Sequence, residues 1–203
     1  MKHITLYCLF FILTGTLISA NASDNGLRLG IRAEFNRSMF SIDREPDIEI
    51  GMGFGAGLAA KIPLTNQLSL NPEASLYYRE SGVQIYYSSY INGFYNYYIT
   101  EMVVSIPVML QFMPVKDPPL YLTAGIQLDI PFRNRLLVVT RERSVFRPID
   151  NRSPTDFGIP LGVGVEIMRN FGLDFRYIIN MNKPFSDWGS SLRSFSLGIS
   201  YFL

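Results

Sequence analysis

Leu27-Arg28-Leu29-Gly30-Ile31-Arg32-Ala33-Glu34-Phe35 alternates without a break: each odd position is apolar, each even one charged or glycine. Successive side chains of a strand point to opposite faces, so this stretch builds one apolar and one polar face. A helix, with 3.6 residues per turn, would mix the two sets. The same period returns further along. Apolar positions 48–58, 68–76, 102–112, 120–130, 157–167, 171–179 and 195–201 alternate with Gly, Ser, Asn, Thr and isolated charges. Each run is close to the ~9–11 residues that a tilted strand needs to cross a bilayer.

The connections between the runs alternate in length. Residues 37–47, 80–97, 133–155 and 180–191 form long ones, and 63–66, 115–118 and 169–170 form tight ones. Outer-membrane barrels show this asymmetry, with short periplasmic turns and long external loops. The expected fold is all-β: an eight-stranded antiparallel up-and-down transmembrane β-barrel with both ends on the periplasmic side. A soluble barrel would turn its polar face to water and carry many Lys, Glu and Thr there. This chain has four Lys in all, and its polar faces hold mainly small residues, which suit a cramped lumen.

The composition agrees. With 48% hydrophobic and 17% charged residues the chain can bury a core and is not disordered. A formal charge of +1 gives no support to a nucleic-acid partner. Residues 1–22, MKHITLYCLFFILTGTLISANA, have the layout of a secretory signal: Lys2, an apolar stretch from Ile4 to Ile18, and a small-residue site at Ala20-Asn21-Ala22. Cleavage is expected after Ala22, leaving residues 23–203 as the barrel domain. Cys8 and His3 are the chain's only cysteine and histidine, so residues 23–203 contain neither. That removes disulfides, thiolates, imidazole bases and His/Cys zinc sites; no cofactor or metal is expected.

The resemblance to a known family rests on short stretches in order. They are Asn71-Pro72-Glu73 before Leu76-Tyr77-Tyr78, Val104-Ser105-Ile106-Pro107-Val108-Met109-Leu110, and Tyr121-Leu122-Thr123-Ala124-Gly125. Asp156-Phe157-Gly158 with Gly162-Val163-Gly164-Val165-Glu166, Leu173-Asp174-Phe175-Arg176-Tyr177 and the closing Ser196-Leu197-Gly198-Ile199-Ser200-Tyr201-Phe202-Leu203 complete the set. Together they resemble the PorT-like outer-membrane β-barrel family of Bacteroidota, which shares its architecture with the small OmpA and OmpX barrels. The resemblance implies an outer-membrane barrel without enzyme activity and allows a role in secretion machinery. Phe202 is penultimate, whereas such barrels usually end on an aromatic residue.

Four sets of residues are candidates for chemistry. Gly51-Met52-Gly53-Phe54-Gly55-Ala56 matches G-x-G-x-x-A, but no helix follows, so these are lumen glycines and not a dinucleotide loop. Arg28, Arg32, Glu34, Glu49, Glu73, Glu101, Asp129, Glu166, Asp174 and Arg176 fall on polar faces and should form a lumen charge network. Buried charges must pair, and acids outnumber bases in this set, so lumen water or basic residues from the rims are needed as well. Arg133, Arg135, Arg141, Arg143, Arg147 and Arg152 make an external loop suited to phosphates and carboxylates. Tyr86, Tyr87, Tyr90, Tyr95, Tyr97 and Tyr98 surround Asn92-Gly93, a hairpin signal, and suit either a headgroup girdle or a recognition surface.

Three functions follow as alternatives. One is a non-enzymatic barrel that works through its loops in envelope structure, binding, adhesion or assembly of a secretion complex. The second is a small passive porin-like channel. The third, an outer-membrane enzyme, is disfavoured because a general base at neutral pH is best supplied by imidazole. The expected partners are outer-membrane lipid, lipopolysaccharide and an envelope protein, with the barrel itself a monomer.

Overall fold

The computed structural model describes residues 26–41, 51–84, 96–139, 144–148, 152–168, 170–184 and 191–203. They form β1 (Arg28–Ser41), β2 (Gly51–Pro63), β3 (Leu68–Gln84), β4 (Asn96–Lys116), β5 (Pro119–Val139), β6 (Ser144–Pro148), β7 (Asp156–Met168), β8 (Phe171–Asn180) and β9 (Ser191–Phe202). No described residue is helical.

Eight strands close on themselves. Neighbours run β4-β3-β2-β1-β9-β8-β7-β5, and β4 pairs with β5 to complete the ring. The pairings around it are antiparallel. Closure satisfies the ring's backbone groups without water, which hydrocarbon demands. Among the described residues β6 stands outside the ring and pairs with β5 alone, from Arg135↔Pro148 to Val139↔Ser144.

The barrel is inverted relative to a soluble protein. Arg32, Arg79, Glu101 and Asp129 are buried in the lumen, while Ile126 and Phe54 are each 68% exposed on the outside. The alternation in the sequence decides this, because a lipid-facing strand needs an apolar side chain at every second position.

The strands outrun the expected connections. Residues 37–41, 80–84, 96–97, 133–139 and 144–148, assigned to long loops from the sequence, are strand. The bilayer sets how much of a strand must be apolar, not where pairing stops. Here pairing continues: Gln84↔Asn96 joins β3 to β4, and Asn96↔Val139 joins β4 to β5. The result is a sheet of β3, β4, β5 and β6 that projects past the barrel at the end opposite the tight turns. The turns at 64–67 and 117–118 are as short as expected, and Leu64 N and Thr65 N both donate to Leu68 O.

Two irregularities interrupt the ladder toward the outer end. The register between β4 and β5 passes from Val103↔Pro131 to Met102↔Arg133, leaving Phe132 as a bulge. Above Gly51, β1 meets β3 directly and in parallel at Ser38↔Ser81 and Met39↔Gly82.

Candidate functional site

The inward positions of the strands bring most of their charges into two clusters stacked along the lumen. In the middle cluster Arg32 of β1 holds Asp174 of β8 with both terminal nitrogens, at 2.6 and 2.9 Å. Its Nε lies 3.4 Å from Glu73 and 3.5 Å from Glu34. Arg176 of β8 holds Glu73 of β3 in the same two-pronged way, at 2.9 and 2.7 Å, and its Nε is 2.8 Å from Asp174. Planar guanidinium groups suit such paired contacts, which fix orientation as well as charge. Gly198 lets Arg32 lie flat: a Cβ there would overlap the guanidinium.

The outer cluster lies toward the projecting sheet. Arg79 of β3 donates to Glu101 of β4 at 2.5 and 3.0 Å and lies 3.3 Å from Asp156 of β7 and 3.7 Å from Asp129 of β5. The Tyr77 hydroxyl donates to Asp129 at 2.5 Å, and Gln127 donates to its other oxygen at 2.9 Å. Arg152 enters from the connection before β7. It donates to Glu101 at 2.7 Å and to both oxygens of Asp156 at 2.7 and 2.5 Å. Ser153 N donates to Pro184 O at 2.9 Å and Asn182 donates to Thr155 O at 2.7 Å, so two outer connections are tied together over the mouth.

At the inner end Lys61 pairs with Glu166, Gln111 donates to Glu166 at 3.2 Å, and Asn71 donates to Gln111 at 2.6 Å. Arg28 donates to Asn170 at 3.1 Å and lies over the Phe202 ring. Between the two clusters remains a polar cavity of about 20 Å³, and near Arg28 and Glu166 one of about 10 Å³. Such spaces admit about one water each. No group of His, Cys, Asp or Glu among the described residues could hold a metal ion.

The expected lumen residues Arg28, Arg32, Glu34, Glu73, Glu101, Asp129, Glu166, Asp174 and Arg176 all lie on inward positions; Glu49 lies outside the described residues. Sequence reasoning missed Arg79, Asp156 and Lys61. Arg79 and Lys61 carry the inward parity of β3 and β2 a few residues further than the runs were followed. Asp156 stands on the polar face of its run but was left out of the charge set.

The arginine loop is redistributed. Arg152 is drawn into the lumen. Arg133 and Arg135 are exposed on β5, Arg147 lies on β6 with only its backbone described, and Arg141 and Arg143 lie outside the described residues. Of the tyrosines, Tyr97 and Tyr98 belong to β4, paired with Val83 and Gly82. Tyr86, Tyr87, Tyr90 and Tyr95 lie outside the described residues.

The sequence profile of the family described as Outer membrane protein beta-barrel domain matches residues 19–186. No curated protein matches the chain. Among solved structures, Neisserial surface protein A is similar at 16% identity and TM-score 0.53, over 87% of this chain and 98% of that one. The Yersinia pestis attachment invasion locus protein Ail, crystallised with the heparin analogue sucrose octasulfate, is similar at 14% identity and TM-score 0.51, over 87% and 99%. At such identity the likeness is one of fold.

Proposed function

The chain belongs to the Outer membrane protein beta-barrel domain family, and from that premise we propose that it is a non-enzymatic barrel of a Gram-negative outer membrane that binds a macromolecular partner through its projecting sheet. On this reading residues 1–22 are its export signal, and the partner belongs to adhesion or to an envelope or secretion complex, the latter being the PorT-like role. One observation carries the reading. β5 continues nine residues beyond Ile130, to Val139, which is about 30 Å of strand past its last regularly alternating outward residue. A membrane anchor needs no such structure. Among the described residues β6 has a neighbour on one side only, and an open strand edge can receive an added strand from a partner. The tyrosine-rich segment 86–98 would supply further amphipathic contact area.

The filled lumen speaks against a passive channel, and the lack of His and Cys in residues 23–203 speaks against hydrolytic chemistry. The test is to replace residues 85–95 and 140–147 by tight turns, separately and together. Each variant should still give the compact, heat-modifiable barrel on a gel. Cross-linking in intact envelopes should lose a partner seen with the unaltered chain. If every cross-linked partner survives both replacements, the reading is wrong.

A further inference from the structure

The outward face of the barrel is charged at one end only. Among strand residues with described side chains, the outward positions are apolar or aromatic along the band. The charged ones are Arg37 on β1, Glu80 on β3, Arg133 and Arg135 on β5, and Arg193 on β9, each toward the outer end of its strand. The set holds four arginines and one acid, Glu80, which accepts a hydrogen bond from the Tyr78 hydroxyl.

The arginines of β5 owe their direction to the bulge. Odd positions of β5 from Tyr121 to Pro131 are inward, so unbroken alternation would send 133 and 135 into the lumen as well. Phe132 takes up one extra residue, and Arg133 then pairs with Met102 and Arg135 with Thr100, both outward positions. Re-aiming a side chain is a recognised use of a bulge. Both arginines are exposed, and together with Tyr78, Thr100, Met102 and Glu101 they line a groove of about 240 Å³; the Glu101 carboxylate is itself held by Arg79 and Arg152.

Depth identifies the surroundings. From Leu120 to Ile130 the outward face of β5 is apolar, and at ~3.3 Å per residue and ~40° tilt those residues span about 25 Å along the membrane normal, the height of a barrel's apolar band. Arg133 and Arg135 lie three and five residues further, roughly 8 and 13 Å above Ile130 by the same conversion. That is headgroup depth. Their Cα atoms, two positions apart on one strand, are about 7 Å from each other, so two guanidinium forks can close on one phosphate or on a neighbouring pair.

We propose that the Arg133–Arg135 groove is a binding site for the phosphate of an outer-leaflet lipid headgroup, with Arg37 and Arg193 as secondary contacts elsewhere on the rim. The groove opens sideways, directly above the apolar band, so the lipid supplies the phosphate and not a soluble anion arriving from outside. The site depends on placement in the membrane and is independent of the partner-binding reading.

The test uses the full barrel refolded in detergent, with native mass spectrometry of bound lipid. Three probes are compared: bisphosphorylated lipid A, the same lipid with its phosphates removed, and inorganic pyrophosphate. The unaltered protein should retain the phosphorylated lipid at least roughly tenfold better than the dephosphorylated one, the scale of one charge-assisted contact. Binding should weaken with salt, and pyrophosphate should compete poorly. Arg133→Gln with Arg135→Gln should lose that preference, while Lys183→Gln keeps it. Arg133→Lys with Arg135→Lys should restore part of it and shows that loss of charge, not of fold, is responsible. Equal retention of both lipids, or an unchanged preference in the double Gln variant, overturns the proposal. Full competition by pyrophosphate assigns the groove to a soluble anion instead.

Discussion

Replacing Arg32 by Met should destabilise the barrel by ~3–5 kcal/mol, the usual cost of leaving a buried charge without its partner. Arg32 is fully enclosed and faces Asp174, Glu73 and Glu34, with Ser200 accepting a further bond at 3.2 Å. Without it, Arg176 alone must serve the three carboxylates of the middle cluster. Met nearly fills the vacated space, so the loss is electrostatic and packing contributes little. Asp174→Leu removes a carboxylate instead and leaves Arg32 and Arg176 with Glu73 and Glu34, a balanced set, so it should cost less. Combined, the two substitutions should fall short of the sum of the singles by ~1–3 kcal/mol, as expected of residues in one network. Urea titrations of the barrel refolded into phospholipid vesicles, followed by circular dichroism and by gel mobility, measure all three. A cost below about 1 kcal/mol for Arg32→Met, or strict additivity, would refute the view that the lumen network holds the barrel together.

Ile126 stands at the middle of the apolar face of β5, so Ile126→Arg should cost roughly 2–4 kcal/mol in the same titration. Leu122 lies closer to the tight turn at 117–118, so Leu122→Arg should cost less, and a conservative change at the inward Thr123 less again; equal costs would count against lipid contact. Gly164 receives the ring of Tyr121, which a Cβ would overlap, so Gly164→Ala should destabilise by ~1–3 kcal/mol and Tyr121→Leu should recover part of that loss. Planar-bilayer recordings of the purified barrel should show only rare, small events, because the two lumen cavities found among the described residues are water-sized. Arg152→Ala should make such events more frequent by leaving Glu101 and Asp156 at the mouth to Arg79 alone, and stable large channels from the unaltered chain would contradict the filled lumen.

The strands of the ring were legible because lipid imposes a rule on every second residue. Leu27–Phe35 and Leu120–Ile130 carry that rule without exception, and the same parity puts Arg32, Glu73, Glu101, Asp129, Asp174 and Arg176 on the polar face of their runs. Legibility ended where the bilayer ends. Beyond Ile130 no solvent dictates alternation, so the continuation of β5 to Val139 and its pairing with β6 left no pattern to follow. The bulge at Phe132 has no marker in residue type, yet it decides on which side of the wall Arg133 and Arg135 stand. Arg152 was misplaced for a related reason: it comes from a connection, and only the pairing partners waiting in Glu101 and Asp156 draw it inward. The excess of acids in the lumen set called for lumen water or for basic residues from the rims; in the structure Arg152, Arg79 and Lys61 contact lumen carboxylates.

The pairing of β1 with β9 bears on how the molecule comes into being. Gly30 meets Phe202 and Phe35 meets Leu197, so this stretch of the ring joins residues roughly 160–170 positions apart, while β2–β3, β4–β5 and β7–β8 are hairpins formed from neighbours in the chain. Local events can therefore build most of the wall but never complete it. Until the last pairing forms, β1 and β9 each present a row of unsatisfied amides, which hydrocarbon does not tolerate and which in water invite the wrong partner. A half-zipped wall is thus stable neither in the membrane nor in the compartment before it. Insertion and closure are bound into a single event, and the pairing that spans the greatest length of chain is also the one that commits it to the bilayer.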